Sequence, residues 1–112
     1  MTLIFKIVPR AEWEAVSDSY GGSAHDRTDG FLHFSTARQL PDTLRLYYAG
    51  QSDLVLVAVD PEAVAASLKY EHSASRNEDF PHLFTPLPRA AVLWVRDLST
   101  DSDGQFVLPT LV

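Results

Sequence analysis

Residues 29–36, Asp-Gly-Phe-Leu-His-Phe-Ser-Thr, contain the densest group of reactive side chains in the sequence. We predict a strand over residues 31–35, on which side chains alternate between two faces. His33 and Ser35 then share one face, about 7 Å apart, and the apolar residues beside them face the core. A polar pair on a strand next to a glycine-containing loop can position ligand groups. The alternative is a structural histidine and a helix-capping serine.

Two further clusters surround Glu71 and His82. Glu71 lies on a predicted strand over residues 67–73 and shares a face with Lys69. A carboxylate there can stabilise positive charge developing on a sugar or polarise a hydroxyl, whereas an exposed pair with Lys69 would contribute little. Pro81 restricts the backbone before His82, so His82 is presented with limited freedom, but a histidine between aromatic residues is also often a packed residue.

The hydrophobic pattern predicts the elements that position these residues. We expect strands or extended segments over residues 3–8, 31–35, 54–59, 67–73, 80–85, 90–97 and 105–108. Helices are expected over residues 10–17, 41–49 and about 60–66, and the glycine-containing stretch 17–30 is expected to be a binding loop. The pattern indicates a single α+β domain over residues 1–112, with a split, largely antiparallel sheet and two or three short helices.

Composition excludes several classes of protein. The chain of 112 residues has 9 basic and 15 acidic side chains and a net charge of −6, which argues against sequence-independent nucleic-acid binding. The absence of cysteine excludes disulfide scaffolds, thiol catalysis and iron–sulfur sites and fits a reducing compartment. Because the longest apolar runs have about six residues, we expect neither a membrane span nor a signal peptide, and a cytoplasmic protein. Nothing in the sequence predicts the oligomeric state.

Several kinds of site lack their sequence signature. The chain has no glycine-rich phosphate loop and no dinucleotide fingerprint. Metal binding would require His33 and His82 to converge with Asp29 or Glu71, and none of these stands at a recognised ligand spacing. No nucleophile elbow surrounds Ser35. We therefore expect no metal site and no prosthetic group.

Several segments together follow the pattern of one protein family. They are residues 29–36 followed by Gln39-Leu40, residues 53–56, Lys69-Tyr70-Glu71, and Phe-Pro-His-Leu-Phe at 80–84 followed by Pro86-Leu87. Over residues 5 to about 98, the chain resembles a family of short, mostly bacterial proteins known only as a domain of unknown function.

That family is in turn similar, more distantly, to the ADP-ribosyltransferase-like fold of mono-ADP-ribosyltransferases and RNA 2′-phosphotransferases. The resemblance implies a split sheet with an NAD-type ligand in the cleft between its halves. Members of that fold often carry a His-x-Thr element on an early strand, an aromatic residue or Ser in the middle, and a Glu on a later strand. His33-Phe34-Ser35 matches the first element with Ser in place of Thr and Phe where Gly is common. Glu71 is the candidate for the last element, and the middle aromatic is one of Tyr47, Tyr48 and Tyr70.

The residues and the resemblance together predict a nucleotide-processing enzyme acting on an NAD-like or ADP-ribosyl-containing substrate, with NAD as a substrate and not a prosthetic group. The expected catalytic residues are His33 and Glu71. The expected substrate-binding residues are Asp29, Ser35, Thr36, Arg38, Tyr70 and His82. The alternative is a non-catalytic module that binds a small nucleotide or a protein partner in the same cleft. Both hypotheses require His33 and Glu71 to face each other across one groove.

Overall fold

Short helices and strands alternate along residues 2–112, which the computed structural model describes. The strands are β1 (Ile4–Pro9), β2 (Ser19–Tyr20), β3 (Leu32–His33), β4 (Ser35–Thr36), β5 (Leu54–Val59), β6 (Leu68–Ser73), β7 (Glu78–Leu83), β8 (Leu87–Pro88), β9 (Val92–Thr100) and β10 (Phe106–Val107). The α-helices are α1 (Arg10–Glu14), α2 (Ala24–Asp29) and α3 (Leu40–Tyr47), and 3-10 helices cover Pro61–Ser67 and Arg89–Ala91. The predicted α+β class is confirmed. In the part of the chain described, every helix is too short or too polar to cross a membrane.

The strands form three sheets. The largest has the order β10-β9-β5-β1-β4, a second has the order β3-β7-β6, and β2 pairs with β8. Each pairing between the described strands is antiparallel, which confirms the predicted antiparallel arrangement. The chain passes from the three-stranded to the five-stranded sheet at Phe34, the single residue between β3 and β4.

The central strands β1 and β5 of the five-stranded sheet are buried on both faces. Ile4 and Val8 of β1 belong to one apolar cluster, and Phe5 and Ile7 belong to the other, which includes side chains of α3. All six residues of β5 are buried, as its uninterrupted apolar sequence predicts. Because alternate residues share a face, Lys6 lies between Ile4 and Val8 on the face away from α3. A charged side chain thus occupies a core position of β1.

Residues 17–30, which we predicted to be a loop, contain β2 and α2. The side chain of Ser23 accepts a hydrogen bond from the backbone N–H of Asp26, and the Asp26 carboxylate accepts one from the backbone N–H of Ser23. This capping box starts the helix, and Gly30 ends it with a φ of 84°. The prediction of a loop was wrong because the Ser-x-x-Asp capping signature between the glycines starts a helix.

Other element boundaries also differ from the prediction. The strand expected over residues 31–35 is interrupted, since β3 pairs with β7 and β4 pairs with β1. The extended segment expected over residues 80–85 instead covers Glu78–Leu83, because Asn77 adopts a φ of 52° in a tight turn and β7 starts at the next residue. The β6–β7 hairpin that results is regular over six residue pairs, from Ser73–Glu78 to Leu68–Leu83.

The fold makes a specific prediction for Gly22. A Cβ atom at this position, where φ is 102°, would lie 2.8 Å from the Cβ of Asp26, whereas one at Gly50, where φ is 84°, would have no neighbour within 4 Å. Both alanine substitutions incur a left-handed backbone penalty of about 1 kcal/mol, and only Gly22→Ala adds overpacking of about 1–3 kcal/mol. Urea denaturation followed by tryptophan fluorescence should show that Gly22→Ala lowers the free energy of unfolding clearly more than Gly50→Ala does. Equal losses in the two variants would contradict the packing of Gly22 against α2.

Candidate functional site

One face of the three-stranded sheet carries the histidines that the sequence analysis singled out. The register pairs His33 of β3 with His82 of β7, and His82 with Lys69 of β6. Directly paired residues project on the same side of a sheet, and Glu71 projects with Lys69 two positions away. The ring centroids of His33 and His82 are 5.6 Å apart, and Nδ1 of His82 lies 2.8 Å from Oε1 of Glu71. The structure thus brings His33, His82 and Glu71 together.

Asp26 is the buried carboxylate behind this face, with 2% of its side chain exposed. Its Oδ1 lies 2.6 Å from Nδ1 of His33 and also accepts the His33 backbone N–H. Its Oδ2 lies 2.9 Å from Nζ of Lys6 and accepts the Ser23 backbone N–H. An ionised carboxylate only accepts, so Nδ1 of His33 carries a proton, and Asp26 fixes both the tautomer and the orientation of the ring.

The electrostatics of Lys6 and Asp26 are coupled. Burial lowers the pKa of Lys6, and the charge and hydrogen bond of Asp26 offset this only in part. Burial by itself would raise the pKa of Asp26. The hydrogen bond from His33, the charge of Lys6 and the N–H of Ser23 outweigh that effect, so the pKa of Asp26 lies well below its usual value. Asp26 is therefore ionised at neutral pH and supplies a fixed negative charge behind His33.

The other ring nitrogen of His33 points towards α2. Its Nε2 lies 2.9 Å from Oδ2 of Asp29, and Nε2 of His25 lies 3.6 Å from the same oxygen. The His25 ring stacks on the His33 ring with centroids 4.6 Å apart. We call His25, His33, His82 and the three carboxylates in contact with them, Asp26, Asp29 and Glu71, the histidine cluster.

Aromatic side chains border the histidine cluster. The ring of Phe31 stacks on His82 at a centroid distance of 4.0 Å and lies 5.3 Å from the ring of Phe84, which is 43% exposed. Nζ of Lys69 lies over the Phe84 ring. An open cavity of about 170 Å³ adjoins these aromatic rings, and its lining includes Arg27, Phe31 and Phe84. The aromatic faces can hold a flat ring of a ligand, and the cationic side chains of Lys69 and Arg27 beside them can bind an anionic group.

Ser35 lies away from the histidine cluster. It pairs with Phe5 of β1, whose side chain is on the α3 face, whereas Lys6 extends from the other face to reach Asp26 and the carbonyl oxygen of His33. The buried hydroxyl of Ser35 lies 3.2 Å from the hydroxyl of Thr43 in α3. The predicted common face of His33 and Ser35 was wrong, because the chain changes sheets between them and the alternation does not continue.

Three other predicted substrate-binding residues also lie outside the cluster. Thr36 is half-buried, and its backbone N–H donates to a glutamine side chain in the turn before α3. Arg38 forms an ion pair with Glu78 at the far end of β7. Tyr70 alternates with its neighbour Glu71, so its half-exposed ring lies on the opposite side of β6. Of the predicted site residues, Asp29, His33, Glu71 and His82 are therefore the ones that the structure groups.

Sequence reasoning missed Asp26, His25 and Lys6. Two signals pointed to them. The capping box that starts at Ser23 predicts α2 and places His25 and Asp29 one turn apart. A lysine in the apolar strand β1 requires a buried acidic partner elsewhere in the chain.

The pKa of Asp26 leads to a prediction for stability. We expect Asp26→Asn to lower the free energy of unfolding at pH 7 by about 3 kcal/mol, because it leaves Lys6 buried without a countercharge. Since the folded-state pKa of Asp26 is lowered, the stabilisation is complete above its unfolded pKa of about 4 and is lost as the pH falls further.

Urea denaturation of wild type and Asp26→Asn at pH 7 and at about pH 2.5 checks this expectation, since the difference should shrink at the lower pH. Asp42→Asn is the control, because that carboxylate pairs with Arg45 on the exposed surface of α3 and should contribute less than about 1 kcal/mol. A difference between wild type and Asp26→Asn that does not change with pH would contradict the assigned role.

Comparison with known proteins adds the family but no activity. A search of curated proteins found no match. The crystal structure of Protein CC0527 from Caulobacter crescentus is 42% identical to the chain, with a TM-score of 0.88 over 95% of this chain and 94% of that chain. A crystal structure of a double mutant of that protein gives the same values, and its solution NMR structure is 43% identical, with a TM-score of 0.83 over 94% and 91%. The model of the family described as protein of unknown function (DUF952) matches residues 7–95. The chain belongs to this family.

Proposed function

We propose that the protein is a cytoplasmic nucleotide-processing enzyme that acts on an NAD-like or ADP-ribosyl-containing substrate bound against the histidine cluster. The proposal depends on one observation, the side-by-side position of His33, His82 and Glu71 on one face of the three-stranded sheet. The separation of this sheet from the five-stranded sheet is compatible with the split sheet of the ADP-ribosyltransferase-like fold. Both sequence elements that suggested that fold, at His33 and Glu71, lie in this group.

Glu71 has the position that a carboxylate needs for cleavage of a glycosidic bond. One oxygen is held by Nδ1 of His82, and the side chain is 45% exposed, so the second oxygen is available to a ribose hydroxyl. As the bond from the ribose carbon to the nicotinamide nitrogen breaks, its electron pair leaves with nicotinamide and positive charge develops on the ribose. A fixed carboxylate stabilises this charge until the oxygen of a water molecule forms the new bond to that carbon and releases a proton to solvent. His82 is only 12% exposed and acts as a positioning residue that orients Glu71.

The neighbouring surface suits the remainder of such a substrate. The wall of Phe31 and Phe84 offers a stacking face for a base or a nicotinamide ring. Arg27 in the cavity lining and Lys69 above Phe84 offer positive charge for phosphates. The cavity of about 170 Å³ is smaller than the roughly 300 Å³ at which ligand pockets usually begin. We infer that it receives one ring, while the rest of the substrate lies across the exposed face.

The proposed role of His33 is a hydrogen bond to a ribose hydroxyl through Nε2. In the structure this atom contacts Asp29, whose side chain is 37% exposed at the end of α2. Substrate would displace the Asp29 carboxylate from His33, and Asp26 would keep the ring in the same orientation during the exchange. Asp29 in this proposal holds His33 in place when no substrate is bound.

Glu71→Gln provides the test of catalysis. We expect the wild type to release nicotinamide from NAD or to turn over an ADP-ribosyl compound, measured by chromatography. Glu71→Gln should reduce turnover by about 100-fold or more, because it removes the charge that stabilises the transition state. Affinity for the substrate, measured by calorimetry, should change by only a small factor.

Glu14→Gln is the matched control, since Glu14 is exposed at the end of α1, and it should leave both values unchanged. Equal turnover in wild type and Glu71→Gln would contradict the catalytic role. Failure of NAD, ADP-ribose and 2′-phosphorylated nucleotides to bind at millimolar concentration would overturn the proposed function.

A non-catalytic nucleotide-binding module is the second candidate. The observation that favours it is the contact of both ring nitrogens of His33 with carboxylates, which leaves no ring nitrogen free in the absence of a ligand. Saturable binding of a nucleotide by the wild type, with no turnover, would support this module over the enzyme.

A further inference from the structure

We propose that His25, Asp29 and His33 form a binding site for a divalent transition-metal ion of the zinc type. One ligand atom from each of the three residues lies within 4.8 Å of the other two. This site goes beyond the proposed function and does not depend on it, because the proposed enzyme requires no metal.

The distances are close to those of a coordinated ion. Oδ2 of Asp29 lies 2.9 Å from Nε2 of His33 and 3.6 Å from Nε2 of His25. A tetrahedral zinc ion with bonds of about 2.0–2.1 Å holds its ligand atoms about 3.3 Å apart. The two separations lie on either side of that value. The His25 side chain is 74% exposed and is free to rotate out of its stack to complete the set.

Helix α2 gives two of the ligands a suitable spacing. His25 and Asp29 are four residues apart and project from one side of the helix, as paired metal ligands on helices commonly do. The helix is fixed at its start by the capping box of Ser23 and Asp26. The third ligand, His33, comes from β3, so the site would join a helix to a sheet.

Asp26 supplies the support that a histidine ligand generally has. Metal-binding histidines usually donate their second ring N–H to a carboxylate or carbonyl, which fixes the tautomer and increases the basicity of the ligand atom. Here Nδ1 of His33 donates to Asp26 at 2.6 Å, and the side chain of Asp26 is 98% buried. This interaction directs Nε2 of His33 towards Asp29 and His25.

Three donor side chains that suit a metal ion meet at Nε2 of His33. This nitrogen lies 2.9 Å from a carboxylate oxygen of Asp29, and the same oxygen lies 3.6 Å from Nε2 of His25. An ion pair between His33 and Asp29 would leave the imidazole of His25 unused, whereas a metal ion would bind all three side chains. The position of His25 is why we favour the metal.

The donor set indicates the class of ion. Two imidazoles and one carboxylate suit Zn²⁺, Co²⁺, Ni²⁺ or Fe²⁺, whereas Mg²⁺ and Ca²⁺ prefer sites made of oxygen atoms. Three protein ligands on an exposed surface would leave a fourth position for water. The site is therefore expected to discriminate strongly between Zn²⁺ and Mg²⁺.

The test is titration of Zn²⁺, and separately of Co²⁺ and Mg²⁺, into the chelator-treated full chain carrying no histidine tag. Calorimetry should show one equivalent of Zn²⁺ and no response to Mg²⁺, and Co²⁺ should give the visible absorption of a nitrogen- and oxygen-ligated ion. We expect His25→Ala and Asp29→Asn each to weaken binding by at least about tenfold. Circular dichroism of each variant checks that the fold is retained.

His72→Ala is the matched control, because His72 is also an exposed histidine beside an aspartate, Asp79, but lies outside the histidine cluster. It should bind Zn²⁺ as the wild type does. Absence of binding at millimolar Zn²⁺, or equal affinity in wild type and His25→Ala, would overturn the site. Since no nucleotide is present, the result is independent of the test of the proposed function.

Discussion

The carboxylate of Asp26 joins three parts of the chain, which are α2, β1 and β3. It receives hydrogen bonds from the start of α2, from Lys6 in β1, and from both the backbone and the ring of His33 in β3. Taking Asp26 and Lys6 out of water costs several kcal/mol per ion, and their attraction offsets this only when the remaining hydrogen-bonding capacity is filled. Because each oxygen of Asp26 has two donors, that condition is met. The stability of the fold and the orientation of His33 therefore depend on the same interaction.

The second determinant of the candidate site is the change of sheet at Phe34. Had residues 31–35 continued as one strand, His33 and Ser35 would project together and both would lie at the edge of the five-stranded sheet. Instead β3 pairs with β7, and the regular β6–β7 hairpin then carries His82 and Glu71 to the same face as His33. Ser35 stays with β1 and turns towards α3. The break at Phe34 thus separates His33 from Ser35 and places His33 beside His82 and Glu71.

Local sequence patterns were sufficient to predict the elements whose apolar residues form a continuous run or a helical spacing. The apolar runs at β1, β5 and the start of β9 predicted strands, and the helix predicted over residues 41–49 corresponds to α3. The same patterns did not reveal the break between β3 and β4, because that break depends on two different partner strands far away in the sequence. Helix α2 was locally encoded by its capping box and was nevertheless missed. We predicted that His33 and Glu71 face each other across a groove, whereas the structure places them on one face of the three-stranded sheet with His82 between them. This arrangement depends on the β6–β7 register, which follows from the turn at Asn77.

The two carboxylate–imidazole pairs of the site differ in which atoms they leave open to a ligand. The pair of Glu71 and His82 presents a half-exposed carboxylate held from behind, so a ligand can meet it without rearrangement. The pair of Asp26 and His33 presents Nε2 of an imidazole whose orientation is fixed by a buried anion, but Asp29 already contacts that nitrogen. A ribose hydroxyl must displace Asp29, whereas a metal ion would retain it as a ligand. Both the metal ion and the substrate would use Nε2 of His33, so occupation of the metal site would exclude the hydrogen bond proposed for the substrate. Asp29 is followed directly by the left-handed Gly30, and its movement decides between the two ligands.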